Sequence, residues 1–334
     1  MSVSNRPAPA SVVSAIIDLR RVSLQLPLSA LLWRAKHFVK QNIYRASSQF
    51  NSRDQMLPSL KVASYSDTNA IISRAIVENL PFLAGRIGGV EARLLGEYFY
   101  KKPFSRLTKR QAHMNAGIFP ISKEGLQVAA RTLLASVTDL DLIGQWDSPY
   151  QRQLLNDLLP PSTVISELQS LEPWWSRSPW TSHLIGKKVL VVHPFANTIM
   201  DQYKRKGELH GNPDLLPDFD LITYVPPRTM LLSTQDYYSW SDALCQMIAR
   251  VKMTEFDVAL IGCGAYGLPL GASIKAMGKP AIHLGGALQL LFGIRGRRWE
   301  AIPKYAALMN EFWMRPSREE TPAAAAQIDG GCYW

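Results

Sequence analysis

Short apolar runs alternate with segments of helical periodicity along most of the chain. Each apolar run has the length of a buried strand, and polar or glycine-rich residues follow it. Because buried strands that alternate with helices form parallel sheets, the pattern predicts an α/β fold with a Rossmann-like parallel sheet flanked by helices. The predicted strands are 81–87, 140–144, 187–192, 219–225, 257–261 and 280–284.

Helical periodicity fills the intervals between these runs. Asp67 has the side chain of an N-cap and is predicted to begin the first helix of the folded region. Two further helices are expected directly after glycine pairs, at Gly88-Gly89 and at Gly285-Gly286. The other predicted helices are 68–79, 109–116, 123–135, 148–159, 240–251 and 268–277, and one more that follows Thr198 and runs through Gln202, Tyr203 and Lys206.

A glycine-rich turn between the runs 257–261 and 268–277 matches the pattern G-x-G-x-x-G. Glycines allow backbone N–H groups to approach a phosphate closely, and the following helix N-terminus favours its negative charge. Strand, glycine turn and helix then repeat at 280–284 and the glycine pair after it. The residues assigned to ligand binding are Gly262, Gly264, Ala265, Tyr266 and Gly267 at the first turn, and Gly285 and Gly286 at the second.

Three interpretations of this glycine turn remain open. A nicotinamide dinucleotide site needs an acidic residue about 20 positions further on, to bind the ribose hydroxyls. His283 stands there instead, and no Asp or Glu occurs between Asp257 and Glu300. The glycines can also serve tight packing alone, or they can bind another phosphorylated ligand such as a sugar nucleotide. We favour the last interpretation, expect no NAD, and include His283 among the ligand-binding residues.

An earlier glycine pair lies where the run 81–87 turns into a helix. Arg86, Gly88, Gly89 and Glu91 occupy this turn. A carboxylate there can bind a metal ion or a sugar hydroxyl, or act as a base, whereas its simplest role is to complement the helix dipole. We predict that the arginine and the glycines bind substrate and that Glu91 is catalytic.

Polar residues also follow the run 187–192, which in a parallel sheet ends at the same edge as Gly262. His193 is predicted to be catalytic and Asn197 to bind substrate, although a single histidine is often structural. Further along, three arginines in the segment FGIRGRRW can neutralise a diphosphate or form a solvated basic turn, and Arg295 is assigned to the ligand. The aromatic segment 172–180 is interpreted either as an acceptor-binding loop or as packing at the core edge.

The composition narrows the class of protein. The chain has 334 residues, 47% of them hydrophobic, and a net charge of +10, which favours anionic ligands. Charge is the single argument for nucleic acid, so we expect none as a partner. The three cysteines lack metal-ligand spacing and suit a reducing cytoplasm. This cysteine usage leads us to expect a cytoplasmic protein. No apolar run reaches the ~18 residues of a transmembrane helix.

The two ends of the chain differ from its middle. Residues 1–58 are predicted to form a helical extension and linker, in which basic residues lie among apolar ones over 11–42. Such a segment can lie peripherally on the inner membrane, or dock on its own domain or on a partner subunit. Residues 59–300 are predicted to be the α/β domain, with halves at about 59–185 and 186–300. Residues 301–334 are predicted to be a C-terminal docking segment.

Several of these blocks together resemble a bacterial family of glycosyltransferases with the GT-D fold. The blocks are HPFANTIMDQY, LPDFDLITYVPPRT, GCGAYG with the following HLGG, and the closing GGCYW. Members of the family occur near polysaccharide-synthesis functions. The resemblance implies transfer of a sugar from a nucleotide donor, often UDP-linked, to a glycan or lipid-linked acceptor.

The resemblance also implies a site with a departure from the family pattern. GT-D enzymes carry a D-x-E motif at an early strand-to-helix turn, which binds the nucleotide sugar and its divalent metal. RIGGVE is similar to that motif: Glu91 matches the glutamate, and Gly89 stands where the aspartate belongs. A single carboxylate is a weak ligand for Mg²⁺ or Mn²⁺. An NAD(P)-dependent oxidoreductase and a non-catalytic nucleotide-sugar or glycan-binding protein remain the alternatives.

Overall fold

The fold is described from a computed structural model of the chain, which describes residues 62–230 and 236–334. Residues 61–334 form one compact unit. The predicted extension at 1–58, with its membrane contact, lies outside the described residues. The described strands are β1 Val62–Ala63, β2 Phe82–Gly85, β3 Leu142–Gln145, β4 Val164–Glu167, β5 Lys188–Val192, β6 Asp220–Tyr224, β7 Val258–Ile261 and β8 Pro280–His283.

All eight of these strands belong to one parallel sheet, with the order β1-β4-β3-β2-β8-β7-β5-β6. The predicted Rossmann-like α/β fold is therefore confirmed. Each of the six predicted strands is present, and each is one to three residues shorter than predicted. The sequence analysis missed β1 and β4, because β1 has only two residues and β4 ends in the polar pair Ser166-Glu167.

Helices cover both faces of the sheet. The α-helices in the described residues are α1 Tyr65–Val77, α2 Gly89–Phe99, α3 Arg106–Met114, α4 Lys123–Thr138, α5 Gln151–Leu158, α6 Ala196–Lys204, α7 Trp240–Lys252, α8 Gly267–Ala276, α9 Leu288–Leu291, α10 Arg297–Glu300 and α11 Pro303–Ala306.

The two helix layers follow from the side-chain contacts. Helices α2, α4, α7 and α8 pack together on one face. The opposite face belongs to a continuous hydrophobic cluster that includes buried side chains of α1, α6 and α9, such as Ile72, Ile199 and Leu288. Strand residues alternate between the layers, so that Leu260 and Ile282 belong to this cluster while Ile261 contacts α8.

The first helix begins earlier than the sequence analysis predicted. Ser64, and not Asp67, is the N-cap of α1, and its hydroxyl oxygen accepts the Asp67 N–H at 3.1 Å. Asp67 is the third helical residue, and its carboxylate accepts the Ser64 N–H at 3.4 Å. The prediction of Asp67 as N-cap was wrong because the sequence fits a capping box, in which the acidic residue stands three positions after the cap.

The C-terminal residues pack onto the same unit without a strand or an α-helix after residue 306. Residues 318–331 form three short 3₁₀ turns, at Arg318–Glu320, Ala325–Gln327 and Asp329–Gly331. Ile328 is buried, and Trp334 lies against Phe195 with ring centroids 6.0 Å apart. Within the part of the chain that the structure describes, no helix is long and apolar enough to cross a membrane.

Candidate functional site at the carboxyl edge of the sheet

Two of the pairs of neighbouring strands that send their following helices to opposite faces of the sheet are β5 with β7 and β2 with β8. After β5 the chain enters α6, whereas after β7 it enters α8 on the other face. The same divergence separates β2, followed by α2, from β8, followed by α9. Such points leave a crevice outside the carboxyl ends of the strands, where α/β proteins of this type bind ligands.

Arg86 occupies the crevice between β2 and β8. Its guanidinium lies over the Trp146 ring, 5.0 Å from the ring centroid, and a methyl group added at Gly285 would lie 3.7 Å from Nη1. Burial lowers the pKa of Arg86, while the nearby Tyr333 hydroxyl and Glu91 carboxylate oppose that effect.

A second guanidinium approaches from α10. Arg298 lies over the Tyr333 ring at 4.8 Å, and its Nη1 donates to the Tyr333 hydroxyl at 3.3 Å. The positive charge of Arg298 further lowers the pKa of Arg86. Tyr333 packs against the backbone of Gly286, where an added methyl group would lie 2.3 Å from its Cε1 atom. Gly286 is therefore needed for this close approach.

Glu91 lies at the start of α2, beside Arg86. It is the third helical residue, and its carboxylate folds back over the N-cap Gly88, where a methyl group would lie 2.2 Å from Oε2. Trp146 covers Gly89 on the same side, at 3.4 Å from an added methyl group. The glycine pair thus gives room to a carboxylate and an indole ring, and the turn holds one positive and one negative side chain.

A buried carboxylate after β4 is held by aromatic side chains. Glu172 accepts hydrogen bonds from the Tyr305 hydroxyl at 2.8 and 3.0 Å and from Trp175 Nε1 at 2.7 Å. Burial raises the pKa of Glu172, whereas these hydrogen bonds and the charges of Lys304 and Arg86 lower it. Within the predicted aromatic segment 172–180, Trp174 and Trp180 are buried, so both of these tryptophans belong to the core.

The second crevice, between β5 and β7, is filled by a neutral histidine. His193 is 2% exposed, and burial lowers its pKa to about 3. Its Nδ1 accepts the Phe195 N–H at 3.1 Å, which places the ring proton on Nε2. A methyl group added at Gly262 would lie 2.6 Å from His193 Cδ2 and 2.8 Å from the Gly285 carbonyl oxygen. The ends of β5, β7 and β8 therefore meet at Gly262.

His283 points away from this edge, into the layer of α8. It is buried, and its Nδ1–H donates to the Ile261 carbonyl at 3.2 Å. Burial, together with the charge of Arg86, lowers its pKa to about 4. A methyl group at Gly267 would lie 2.0 Å from the His283 ring, so Gly267 serves the packing of helix on strand.

Of the other residues of the glycine turn, two are packed against neighbouring side chains and one is exposed. Ala265 is buried, and Tyr266 stacks on Trp240 while its hydroxyl shares a hydrogen bond with Thr229. Gly264 is exposed, has φ +57°, and has open space where its side chain would project. Gly264 is therefore the residue of this turn whose backbone faces outward.

The first turn of α6 contacts a carboxylate from the C-terminal segment. Glu320 is buried and accepts the Asn197 N–H at 2.8 Å and the Thr198 N–H at 3.3 Å. The Thr198 and Ser317 hydroxyls donate to the same carboxylate. Asn197 thus contributes its backbone, and its own side chain is exposed. Trp334 Nε1 donates to the Glu320 carbonyl at 3.2 Å, which joins the last residues to this turn.

Arg295 does not join this group. Its Nη2 donates to the Asn310 carbonyl at 2.6 Å, and its backbone pairs with Met314. The structure therefore brings Arg86, Glu91 and the second glycine pair together with Arg298, while Arg295 holds a neighbouring loop.

Sequence reasoning missed several members of the site. Trp146, Tyr305, Glu320 and Tyr333 reach the edge from separate elements, and only the unusual aromatic ending GCYW signalled that the last residues dock on something. Among residues 62–230 and 236–334, no group of three His, Cys, Asp or Glu side chains could hold a metal ion.

The sequence matches no protein-family model, and comparisons with curated proteins and with solved structures likewise find no match. The function of the chain is therefore inferred from the chemistry of the carboxyl edge and from the sequence resemblance to GT-D enzymes.

Proposed function

We propose that the protein is a glycosyltransferase that uses a nucleotide-sugar donor, in the first instance a UDP-sugar. The observation that carries the proposal is the placement of two guanidinium groups at the Gly285-Gly286 turn: Arg86 lies against Gly285, and Arg298 donates to the hydroxyl of Tyr333, whose ring packs on Gly286. Two guanidinium groups beside a glycine turn suit a diphosphate, because each can donate two parallel hydrogen bonds to phosphate oxygens.

The carboxylate beside this pair fits the chemistry of sugar transfer. An acceptor hydroxyl attacks the anomeric carbon of the donor, and a new carbon–oxygen bond forms. The bond from that carbon to the diphosphate oxygen breaks, and its electron pair leaves with the diphosphate. Arg86 and Arg298 stabilise the growing negative charge. Glu91 accepts the proton of the attacking hydroxyl.

His193 has a positioning role in this scheme. Its ring is neutral and buried, and it packs directly against Gly262. The acceptor is proposed to be a glycan or lipid-linked sugar in cell-surface polysaccharide synthesis, as the family resemblance implies. The proposed site of action is the cytoplasm, peripheral to the inner membrane if the segment 11–42 contacts lipid.

The test begins with binding of UDP, UDP-sugars, NADH and NADPH to the full chain, measured by calorimetry with and without Mn²⁺. We expect UDP-sugars to bind and NAD(P)H not to bind. Binding of NAD(P)H alone would overturn the proposal in favour of an oxidoreductase. UDP-sugar binding without hydrolysis or transfer, across a panel of glycan and lipid-linked acceptors, would favour a non-catalytic binding protein.

Variants at the site sharpen this test. Arg86→Met should weaken UDP binding at least tenfold, because a charge-assisted hydrogen bond is worth about 1.5–3 kcal/mol. Arg74→Met removes an exposed arginine on α1 and should leave binding unchanged. Glu91→Gln should retain UDP binding and lose about 100-fold or more in transfer rate. Equal UDP affinity for Arg86→Met and the wild type would remove Arg86 from the site.

A further inference from the structure

The last residues of the described chain cover both crevices of the carboxyl edge. Residues 317–334, called the strap below, contact α6 through Glu320, Phe195 through Trp334, and the Gly286 backbone through Tyr333. The strap therefore lies over the part of the sheet where the proposed ligand binds.

Two contacts of the strap use groups that an anionic ligand would need. The Tyr333 hydroxyl accepts a hydrogen bond from Arg298 Nη1 at 3.3 Å. The Glu320 carboxylate takes the N–H groups of Asn197 and Thr198 at the start of α6. A phenol oxygen and a carboxylate thus lie against guanidinium and amide donors at the edge of the sheet.

The strap is also attached by a hydrogen bond from the Ser317 N–H, by ring contacts of Tyr333 and Trp334, and by the buried side chain of Ile328. It has no strand or α-helix, and its backbone is tied to the body by Arg298 N–H to the Cys332 carbonyl at 3.0 Å and by Gln289 Nε2 to the Tyr333 carbonyl at 3.1 Å. A segment without a strand or an α-helix lacks the backbone ladder of a regular element, so it opens locally at a lower cost in free energy than a strand of the sheet.

We propose that the strap is an autoinhibitory cover, which competes with the diphosphate of the ligand and is released from Arg298 when the ligand binds. This inference rests on the proposed function, since it takes a diphosphate as the ligand. Because the Tyr333 hydroxyl already accepts from Arg298 Nη1, a phosphate oxygen competes with it for that donor. Only the fraction of molecules with an open strap binds ligand, so the apparent affinity is lowered by that fraction.

The experiment measures the affinity of the full chain for UDP and for inorganic pyrophosphate. Tyr333→Phe removes only the hydroxyl, and Glu320→Gln removes the charge at α6. Each should bind both probes more tightly than the wild type, by at least about threefold. Glu319→Gln is the matched control for charge, because Glu319 is exposed next to Glu320. Tyr203→Phe is the control for a hydroxyl, because the Tyr203 hydroxyl donates to Pro217 and Phe219 carbonyls instead.

Hydrogen exchange provides a second readout that does not depend on mutation. Saturating UDP should speed the exchange of peptides from residues 318–334 in the wild-type chain, because the strap is released. Slower exchange, or weaker binding by Tyr333→Phe, would show that the strap closes on the ligand and would overturn the proposal.

The outcomes separate the two proposals. Equal affinity of the wild type, Tyr333→Phe and Glu320→Gln for the probes would refute the strap alone and leave the ligand class intact. Failure of both probes to bind the wild type and both variants would refute the proposed function. The strap proposal would fail with it, since it predicts binding by the opened variants.

Discussion

Two buried histidines make the stability of this fold depend on pH. His193 and His283 are neutral in the folded chain, with their pKa values lowered by burial to about 3 and about 4. Between these values and the ordinary histidine pKa of 6.5, the unfolded chain binds protons that the folded chain does not bind. Their contribution to stability is therefore complete above pH 6.5 and is lost as the pH falls below it.

The size of the loss at pH 5 follows from the unfolded chain. pH 5 lies about 1.5 pH units below the ordinary histidine pKa, and each such unit corresponds to 1.36 kcal/mol, so each histidine costs about 2 kcal/mol. Both folded imidazoles remain neutral at this pH. Together they should lower the free energy of unfolding by about 4 kcal/mol between pH 7.5 and pH 5.

Other groups also titrate, and variants isolate the two histidines from them. Burial lowers the pKa of His210, which acts in the same direction, and raises that of Glu172, which acts in the opposite direction. His193→Asn keeps an acceptor for the Phe195 N–H, and His283→Asn keeps a donor for the Ile261 carbonyl. The contributions of the other groups to the pH dependence of stability cancel when each variant is compared with the wild type.

The measurement is urea unfolding of the wild type and both variants at pH 7.5 and at pH 5. Each variant is expected to lose about 2 kcal/mol less than the wild type between the two pH values, whatever its stability at pH 7.5. A pH-dependent loss in His193→Asn equal to that of the wild type within about 0.5 kcal/mol would refute the neutral, buried state assigned to His193.

Three substitutions test the contacts of α8 and of the glycine turn that precedes it. Gly267→Ala should lower the free energy of unfolding by about 3 kcal/mol or more, because the new methyl group would lie 2.0 Å from the His283 ring. Normal stability in urea unfolding would contradict that contact. Gly264→Ala is the matched control and should lower the free energy of unfolding by only about 1 kcal/mol, because Gly264 has a positive φ but open space around it. A loss as large as that of Gly267→Ala would contradict the conformation assigned to this turn. Lys275→Met should cost about 1 kcal/mol, measured in the same way, because Nζ lies 2.6 Å from the partly exposed Asp141 carboxylate; an unchanged midpoint would show that this ion pair contributes nothing.

The strands and most helices of the fold could be predicted because their local patterns agree with their burial. Val258–Ile261 and Pro280–His283 are fully buried, and their continuous apolar sequence indicates this directly. The strand order could not be predicted, because β2 pairs with β8 across about 200 residues and no local pattern specifies that partner.

The candidate site was accessible from the sequence only in part. Arg86, Glu91 and the glycine pairs follow strand ends, and parallel pairing alone brings such residues to one edge. Arg295 and Arg298 are indistinguishable in sequence, and backbone geometry decides which one faces Tyr333 and which one holds Asn310. The orientation of His283 depends on the two-residue alternation of β8, and its pairing with Gly267 requires the packed helix.

The pairing of β2 with β8 also determines how a ligand would act on the molecule as a whole. Strands β1 to β4 form one half of the sheet and β5 to β8 the other, and this single pairing joins them. Arg86 belongs to the first half, whereas Gly285 and Arg298 belong to the second. A molecule bound between them bridges the seam, so its binding free energy opposes separation of the halves. Fragments divided near residue 186 would then reassociate more tightly when that molecule is present.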